Sequence, residues 1–242
     1  MSSSFNNSPR INIWEKIGND IYGEAAGDNS GGSVSLSADG SIVAIGAPAN
    51  NDNGSNSGHV RIYQYTNGTW TQIGSDIDGE ASGDGSGGSV SISPDGRVVA
   101  IGASYNDAAG SSLNSGHVRV YENNNGTWKQ IGADIDGNFW NDYSGNSLSL
   151  SSDGSIIAIG SKFVDGKENE SGHVRVYENN NGTWQQIGTD ITGAAQSDYS
   201  GTSVSLSSDG SILAIGAPGN DDNGTASGHV RIYQNNYGTW DQ

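Results

Sequence analysis

The chain has no cysteine, one methionine and four prolines in 242 residues. Without thiols there is no disulfide scaffold and no zinc–thiolate site, and the redox compartment stays open. Basic side chains are scarce: ten Lys and Arg stand against 27 Asp and Glu, a formal net charge of −17. Such acidity repels phosphate backbones and anionic lipid, which argues against nucleic acid as a partner. The longest apolar stretches, such as Ile42 to Ala49, fall far short of the roughly 20 residues that span a bilayer, so no membrane insertion is expected. The opening Met1-Ser2-Ser3-Ser4-Phe5 has neither a basic nor an apolar segment and reads without a signal peptide. Few apolar residues with high charge would ordinarily indicate disorder. Here the apolar residues fall instead in short runs at fixed phase, and 38 glycines add small, buriable volume.

What is present is a repeat. The cassette Trp-x-Gln-Ile-Gly-x-Asp-Ile-x-Gly starts at Trp70, Trp128 and Trp184, its Trp-x-x-Ile-Gly core follows Trp14, and Trp240 stands where another copy would begin. Successive steps are 56, 58, 56 and 56 residues. Repeats near this length build propellers or solenoids, in which each unit buries its apolar faces against its neighbours.

One copy reads as four short strands. Ser33 to Ser37 alternates strictly, Ala38-Asp39-Gly40-Ser41 is a tight turn, and Ile42 to Ala47 is apolar on both faces, as a strand covered on two sides should be. A polar loop leads to His59-Val60-Arg61-Ile62-Tyr63, and an Asn67-Gly68 turn leads to a fourth strand around Trp70. Such a meander is a propeller blade, and no segment shows helical periodicity. The expected fold is all-β: a single β-propeller domain over 1–242 of four four-stranded antiparallel blades. The repeats span approximately 19–74, 75–132, 133–188 and 189–242. An N-terminal outer strand at 10–18 is expected to complete the last blade and close the ring. Alternatives are an eight-bladed ring from two chains, a head-to-tail polymer, or a segment of a longer repeat array.

In an up-and-down blade the loop between strands two and three shares a face with the crossover to the next blade. Most of the aspartates therefore gather on one rim, including Asp28, Asp52, Asp107, Asp165, Asp198, Asp221 and Asp222. Long Asp/Asn/Gly loops make that face the candidate functional one. The third copy departs most from the others, with Trp140, Lys162 and Phe163 in its loops on this rim; these three with Asp107 and Asp165 are the ligand-face candidates. Asp52, Asp221 and Asp222 lie in oxygen-rich turns that suit Ca²⁺, with Asp28 or Asp198 able to complete a shell; the same residue types also build ordinary solvated turns. Asn67, Asn125 and Asn181 each open an Asn-Gly-Thr sequence, at once a favoured hairpin turn and an N-glycosylation acceptor. His59, His117, His173 and His229 hold one position per copy, too far from the ring axis to converge on one ion, and read as residues bonded within their blades. No nucleophile elbow or Ser/His pairing stands apart from the repetition, so no enzyme is read here.

The stretch from Gly32 to Ser37, Ile45-Gly46-Ala47-Pro48, and Ser57 to Tyr63 resembles the FG-GAP repeat of integrin-α-type propellers. Gly-Ala-Pro recurs at Gly216-Ala217-Pro218, while the middle copies read Gly102-Ala103-Ser104 and Gly160-Ser161-Lys162. The Phe-Gly half is missing, and a short Ser-x-Asp-Gly turn replaces the family's calcium loop, so those calcium sites do not carry over. The resemblance implies an extracellular or cell-surface adhesion module, and the Asp/Asn-rich loop face is where protein or glycan would bind. The alternative is a structural subunit of a surface fibre, sheath or virion that associates with copies of itself.

Overall fold

The computed structural model describes residues 14–107, 114–163 and 170–242. Among these there is no helix; the strands form four antiparallel sheets, one per repeat. Blade one runs β1 (Ser33–Leu36), β2 (Ile42–Ala47), β3 (His59–Thr66) and β4 (Thr69–Gln72), with the two-residue β5 (Ile77–Asp78) pairing back onto β3. Blade two repeats this as β6 (Ser89–Ile92), β7 (Val98–Ala103), β8 (His117–Asn124), β9 (Thr127–Gln130) and β10 (Ile135–Asp136). Blade three is β11 (Ser147–Leu150), β12 (Ile156–Ser161), β13 (His173–Asn180), β14 (Thr183–Gln186) and β15 (Ile191–Thr192). Blade four has β16 (Ser203–Leu206), β17 (Ile212–Ala217), β18 (His229–Asn236) and β19 (Thr239–Asp241). The fifth strands go beyond the four-stranded expectation. They arise because the outer strand is broken after Ile73 at Gly74, whose φ of 76° bends the chain before pairing resumes at Ile77.

The core lies between blades. Val60 and Ile62 of blade one pack against Ile92, Val99 and Ile101 of blade two, and the same joint recurs between blades two and three and between three and four. At the inner edge Ser33 Oγ donates to the Gly87 carbonyl (2.7 Å), Ser89 Oγ to Gly145 (2.6 Å) and Ser147 Oγ to Gly201 (2.8 Å). Backbones approach so closely there that a Cβ on Gly46 would lie 2.0 Å from the Gly87 oxygen. At the outer edge each cassette Trp staples across a joint: Nε1 of Trp128, Trp184 and Trp240 donates to the carbonyl of Ile73, Ile131 and Ile187 at 2.9, 2.9 and 3.2 Å.

Among the described residues this joint is made three times and not a fourth. The extensive strand contacts between blades run from one to two, two to three and three to four. Val230 and Ile232 of blade four are 66% and 60% exposed, where Val60, Val118 and Val174 are fully buried. At the other end Val34 and Leu36 of blade one are 63% and 58% exposed. The ring closure expected from the N-terminal strand is therefore corrected: the four blades form an open arc. Residues 10–13 of that expected strand lie outside the described residues, and Trp14 to Gly18 form no strand. The reason is local. Ile17 accepts the Trp70 indole N–H (3.3 Å), as Ile73 does for Trp128, which anchors the segment on blade one, while β19 already fills the outer edge of blade four.

Candidate functional site

The rim of long loops is built by buried aspartates. Each crossover folds over one carboxylate: Asp28 accepts the Ala25 N–H (2.9 Å), Asp84 that of Ala81 (2.9 Å), Asp142 that of Asn138 (3.1 Å) and Asp198 that of Ala195 (3.0 Å). Asp107 and Asp221 do the same for the loops between second and third strands, accepting the Asn114 N–H (2.8 Å) and the Ala226 N–H (2.6 Å). Asp52 and Asp222 instead face the third-strand histidines, each 3.9 Å from Nδ1 of His59 or His229. The five calcium candidates of the sequence are thus dispersed. Asp28 and Asp52 are bridged by the Asn50 amide, which donates to both (3.4 and 3.3 Å), and the Asp198 carboxylate accepts the Asn220 amide (3.3 Å).

The turns on the opposite face are tied by their own side chains. Asp39 Oδ1 accepts the Ser41 N–H (2.9 Å) and the Ser37 hydroxyl (2.7 Å), bonds that pull its pKa down to about 2. Asn67, Asn125 and Asn181 are exposed at φ of 52–53°, each followed by a positive-φ glycine, the backbone of a two-residue hairpin turn.

Across the loop rim runs a row of aromatic rings. Tyr105 of blade two meets Tyr143 on the crossover into blade three (centroids 5.5 Å apart), Tyr143 meets Phe163 (5.4 Å), and Phe163 meets Tyr199 on the crossover into blade four (5.6 Å), all close to edge-on. Lys162 Nζ sits 5.0 Å over the Phe163 ring. Trp140, at 63% exposed, and Phe139 stand on the same crossover as Tyr143, with the Arg175 guanidinium 5.9 Å from the Phe139 ring. Of the ligand-face candidates, Phe163 and Lys162 enter this row, Trp140 stands beside it, Asp107 ties a loop, and Asp165 lies outside the described residues. Tyr105, Tyr143 and Tyr199 are site residues that the sequence reading omits. Their signal is positional. Asn29 and Gly85 occupy a left-handed backbone slot in the first two copies (φ 54° and 62°), and the last two copies put Tyr143 and Tyr199 there (φ 50° and 53°). A bulky side chain in that region costs energy that Asn or Gly largely avoids.

Beneath the rim the four histidines begin the third strands, and each has Nδ1 within 3.6–3.9 Å of a carboxylate. Burial, then the neighbouring arginine, pushes His117 down to about 4 and His173 down to about 3, so both are neutral at neutral pH. Burial raises Asp142 to about 6, against the pull of Arg175 and the Asn138 N–H.

Sheets of this connectivity joined face to face define a β-propeller architecture. An FG-GAP repeat model matches residues 23–63 and 192–233, and those stretches are FG-GAP repeats. The two middle blades keep the same strand register. No curated protein sequence matches the chain. Similar solved structures include a candidate 6-phosphogluconolactonase of Bacteroides uniformis (15% identity, TM-score 0.57, 86% of this chain and 52% of that one). Another is the Kuenenia stuttgartiensis hydrazine synthase (14%, 0.51, 84% and 58%). A third is Saccharomyces cerevisiae Sqt1 (13%, 0.50, 88% and 47%). The chain spans about half the length of these neighbours, and at such identity the likeness is one of fold alone. No helix among the described residues is long and apolar enough to cross a membrane.

Proposed function

We propose that the protein is a non-enzymatic recognition propeller, extracellular or at a cell surface, that binds a glycan or protein partner on its loop rim. The aromatic row carries this reading. Two tyrosines in a backbone conformation that disfavours them, where sister copies use Asn and Gly, are retained for what their rings present. The exposed Trp140 beside that row offers a flat face for a sugar ring or an apolar side chain, and Lys162 adds a cationic donor. The surrounding charge of −17 favours neutral or cationic partners. Probing glycan and peptide arrays with the full chain tests it. Hits weakened at least tenfold by Trp140→Ala, with the fold intact by circular dichroism, support the proposal; hits indifferent to Trp140→Ala, or none, count against it.

A second reading has its own observation. The end faces at Val34/Leu36 and Val230/Ile232 are the two halves of the internal joint, each lacking its counterpart. Thr202, Ser203, Gly216, Ala217 and Val230 line a shallow groove on the blade-four end. A second copy, presenting blade one to that face, supplies what the internal joints supply, and the protein then serves as a self-associating structural subunit. Its test is the mass of the full chain in solution.

A further inference from the structure

We propose that blade one holds a divalent transition-metal ion, bound by His59 Nδ1 and carboxylate oxygens of Asp52, Asp76 and Glu24, with a reduced version of the site in blade two at His117, Asp134 and Glu80. In blade one the three carboxylate oxygens lie 3.9, 3.7 and 3.9 Å from Nδ1 for Asp52, Asp76 and Glu24. The four ligand atoms sit within 4.8 Å of one another. These spacings are too long for hydrogen bonds and slightly wider than the roughly 3.0–3.6 Å that ligands bonded at about 2.0–2.2 Å keep around one ion. His59 is wholly buried, and neither ring nitrogen has a hydrogen-bond partner. A buried imidazole aimed at three carboxylates, with nothing bonded to it, is a group awaiting a partner.

The fold brings the ligands together from four places. Glu24 comes from the crossover entering blade one, Asp52 from the loop after β2, His59 from the start of β3, and Asp76 from the break between β4 and β5. The positive φ of Gly74 makes that break, which gives the cassette's invariant Gly-x-Asp spacing a purpose. Gln72 Nε2 holds Asp76 Oδ1 at 2.5 Å and leaves Oδ2 toward the imidazole, an orienting contact of the kind that flanks metal ligands. Gln130 holds Asp134 in the same way (2.6 Å).

The copies act as internal controls. In blades one and two the arginine two residues after the histidine is spent elsewhere: Arg61 Nη2 donates to the Tyr22 carbonyl (2.7 Å) and Arg119 Nη2 to that of Asp78 (2.9 Å). Their Nη1 atoms lie 3.4 and 3.5 Å from Glu24 and Glu80. In blade three Asn138 replaces that glutamate. There Arg175 turns inward, donating Nε to Asp190 Oδ2 (3.1 Å) and lying 3.5 Å from Asp142, so a guanidinium supplies the positive charge. In blade four Ala194 replaces the glutamate, and among the described residues Asp222 alone pairs with His229. Where the acid set is fullest the arginine reaches only the outer oxygen of Glu24, leaving Glu24 Oε2, Asp52 and Asp76 facing the imidazole for a metal ion to neutralise. One imidazole nitrogen with three carboxylates suits Zn²⁺ or Mn²⁺, whereas Ca²⁺ takes six to eight oxygens. The bound ion ties crossover, loop and two strands into one rim corner.

The experiment uses the full chain, stripped with EDTA, dialysed and titrated calorimetrically with ZnCl₂, MnCl₂ and CaCl₂. Saturable Zn²⁺ or Mn²⁺ binding of one to two equivalents is expected, with a higher melting temperature when loaded. The tighter equivalent should weaken at least tenfold in His59→Gln and in Glu24→Gln, and stay unchanged in His173→Gln. Glu24 is a half-exposed rim side chain, so Glu24→Gln keeps the test alive if His59→Gln fails to fold. No saturable binding, binding that survives both variants, or a preference for Ca²⁺ over Zn²⁺ would overturn the site.

Discussion

At the scale of single residues, position within the arc decides what a side chain costs. A Cβ on Gly102 would lie 2.2 Å from the Gly145 carbonyl of the next blade, whereas one on Gly216 meets only the movable Ser203 hydroxyl. Gly102→Ala should therefore lose about 3 kcal/mol in chemical denaturation and Gly216→Ala under about 1.5 kcal/mol. Equal losses would mean that the last blade is as tightly covered as the second. Titration gives a second residue-level test at His173, which faces Asp142, Asp190 and Arg175. Its pKa is about 3 folded, against roughly 6.5 unfolded. Between these values the unfolded chain carries a proton that the folded chain refuses, so stability falls as pH drops from about 6.5 toward 3. Asp142, raised to about 6, opposes this: the folded state keeps its proton over roughly pH 4–6, which favours folding on the acid side of that window. The histidine window is the wider, and the urea midpoint should fall between pH 7.5 and 5, by less in His173→Gln. A midpoint that ignores pH, or a variant with an undiminished drop, contradicts the assignment.

At the scale of the blade, the tryptophan cassette is a staple rather than a core plug. Trp128→Phe keeps most of the ring's packing but strands the Ile73 carbonyl, and should cost about 1–2 kcal/mol. Trp14, almost fully exposed, should tolerate the same change without effect in the same urea titration. Strand positions were legible because alternation at Ser33–Leu36, double-sided apolarity at Ile42–Ala47 and the Asn67-Gly68 turn each have a local cause. The fifth strands were not, since two residues such as Ile77 and Asp78 are too short to show a period. The candidate site was half legible: Trp140, Phe163 and Lys162 stood out as departures from the repeat. Tyr143 and Tyr199 carry no such mark, since only the backbone angles show that their slot is left-handed. The histidines were expected to bond within their blades, yet neither ring nitrogen of His59 has a hydrogen-bond partner, nor has Nε2 of His117 or His173. Their carboxylate neighbours, however, come from a strand break and loops that no spacing rule brings together.

At the scale of the whole molecule, periodicity tells how each unit follows the last but not whether the last meets the first. The joint that packs Val60 and Ile62 on Ile92, Val99 and Ile101 forms three times among the described residues, which leaves four blades as an arc with two unsatisfied ends. Each end presents the apolar side chains that the internal joints bury, worth about 1.5–3 kcal/mol apiece when fully covered. The aromatic row belongs to this scale too, because it spans blades two, three and four and exists only while their joints hold. Sedimentation equilibrium of the full chain tests the open arc most directly. A mass near twice 24.9 kDa, returning to 24.9 kDa when Val230→Asp charges the blade-four end, is the expected result. A 24.9 kDa species at every concentration, with Val230→Asp as destabilising as a charge placed at Val118, would show that the end faces already cover one another.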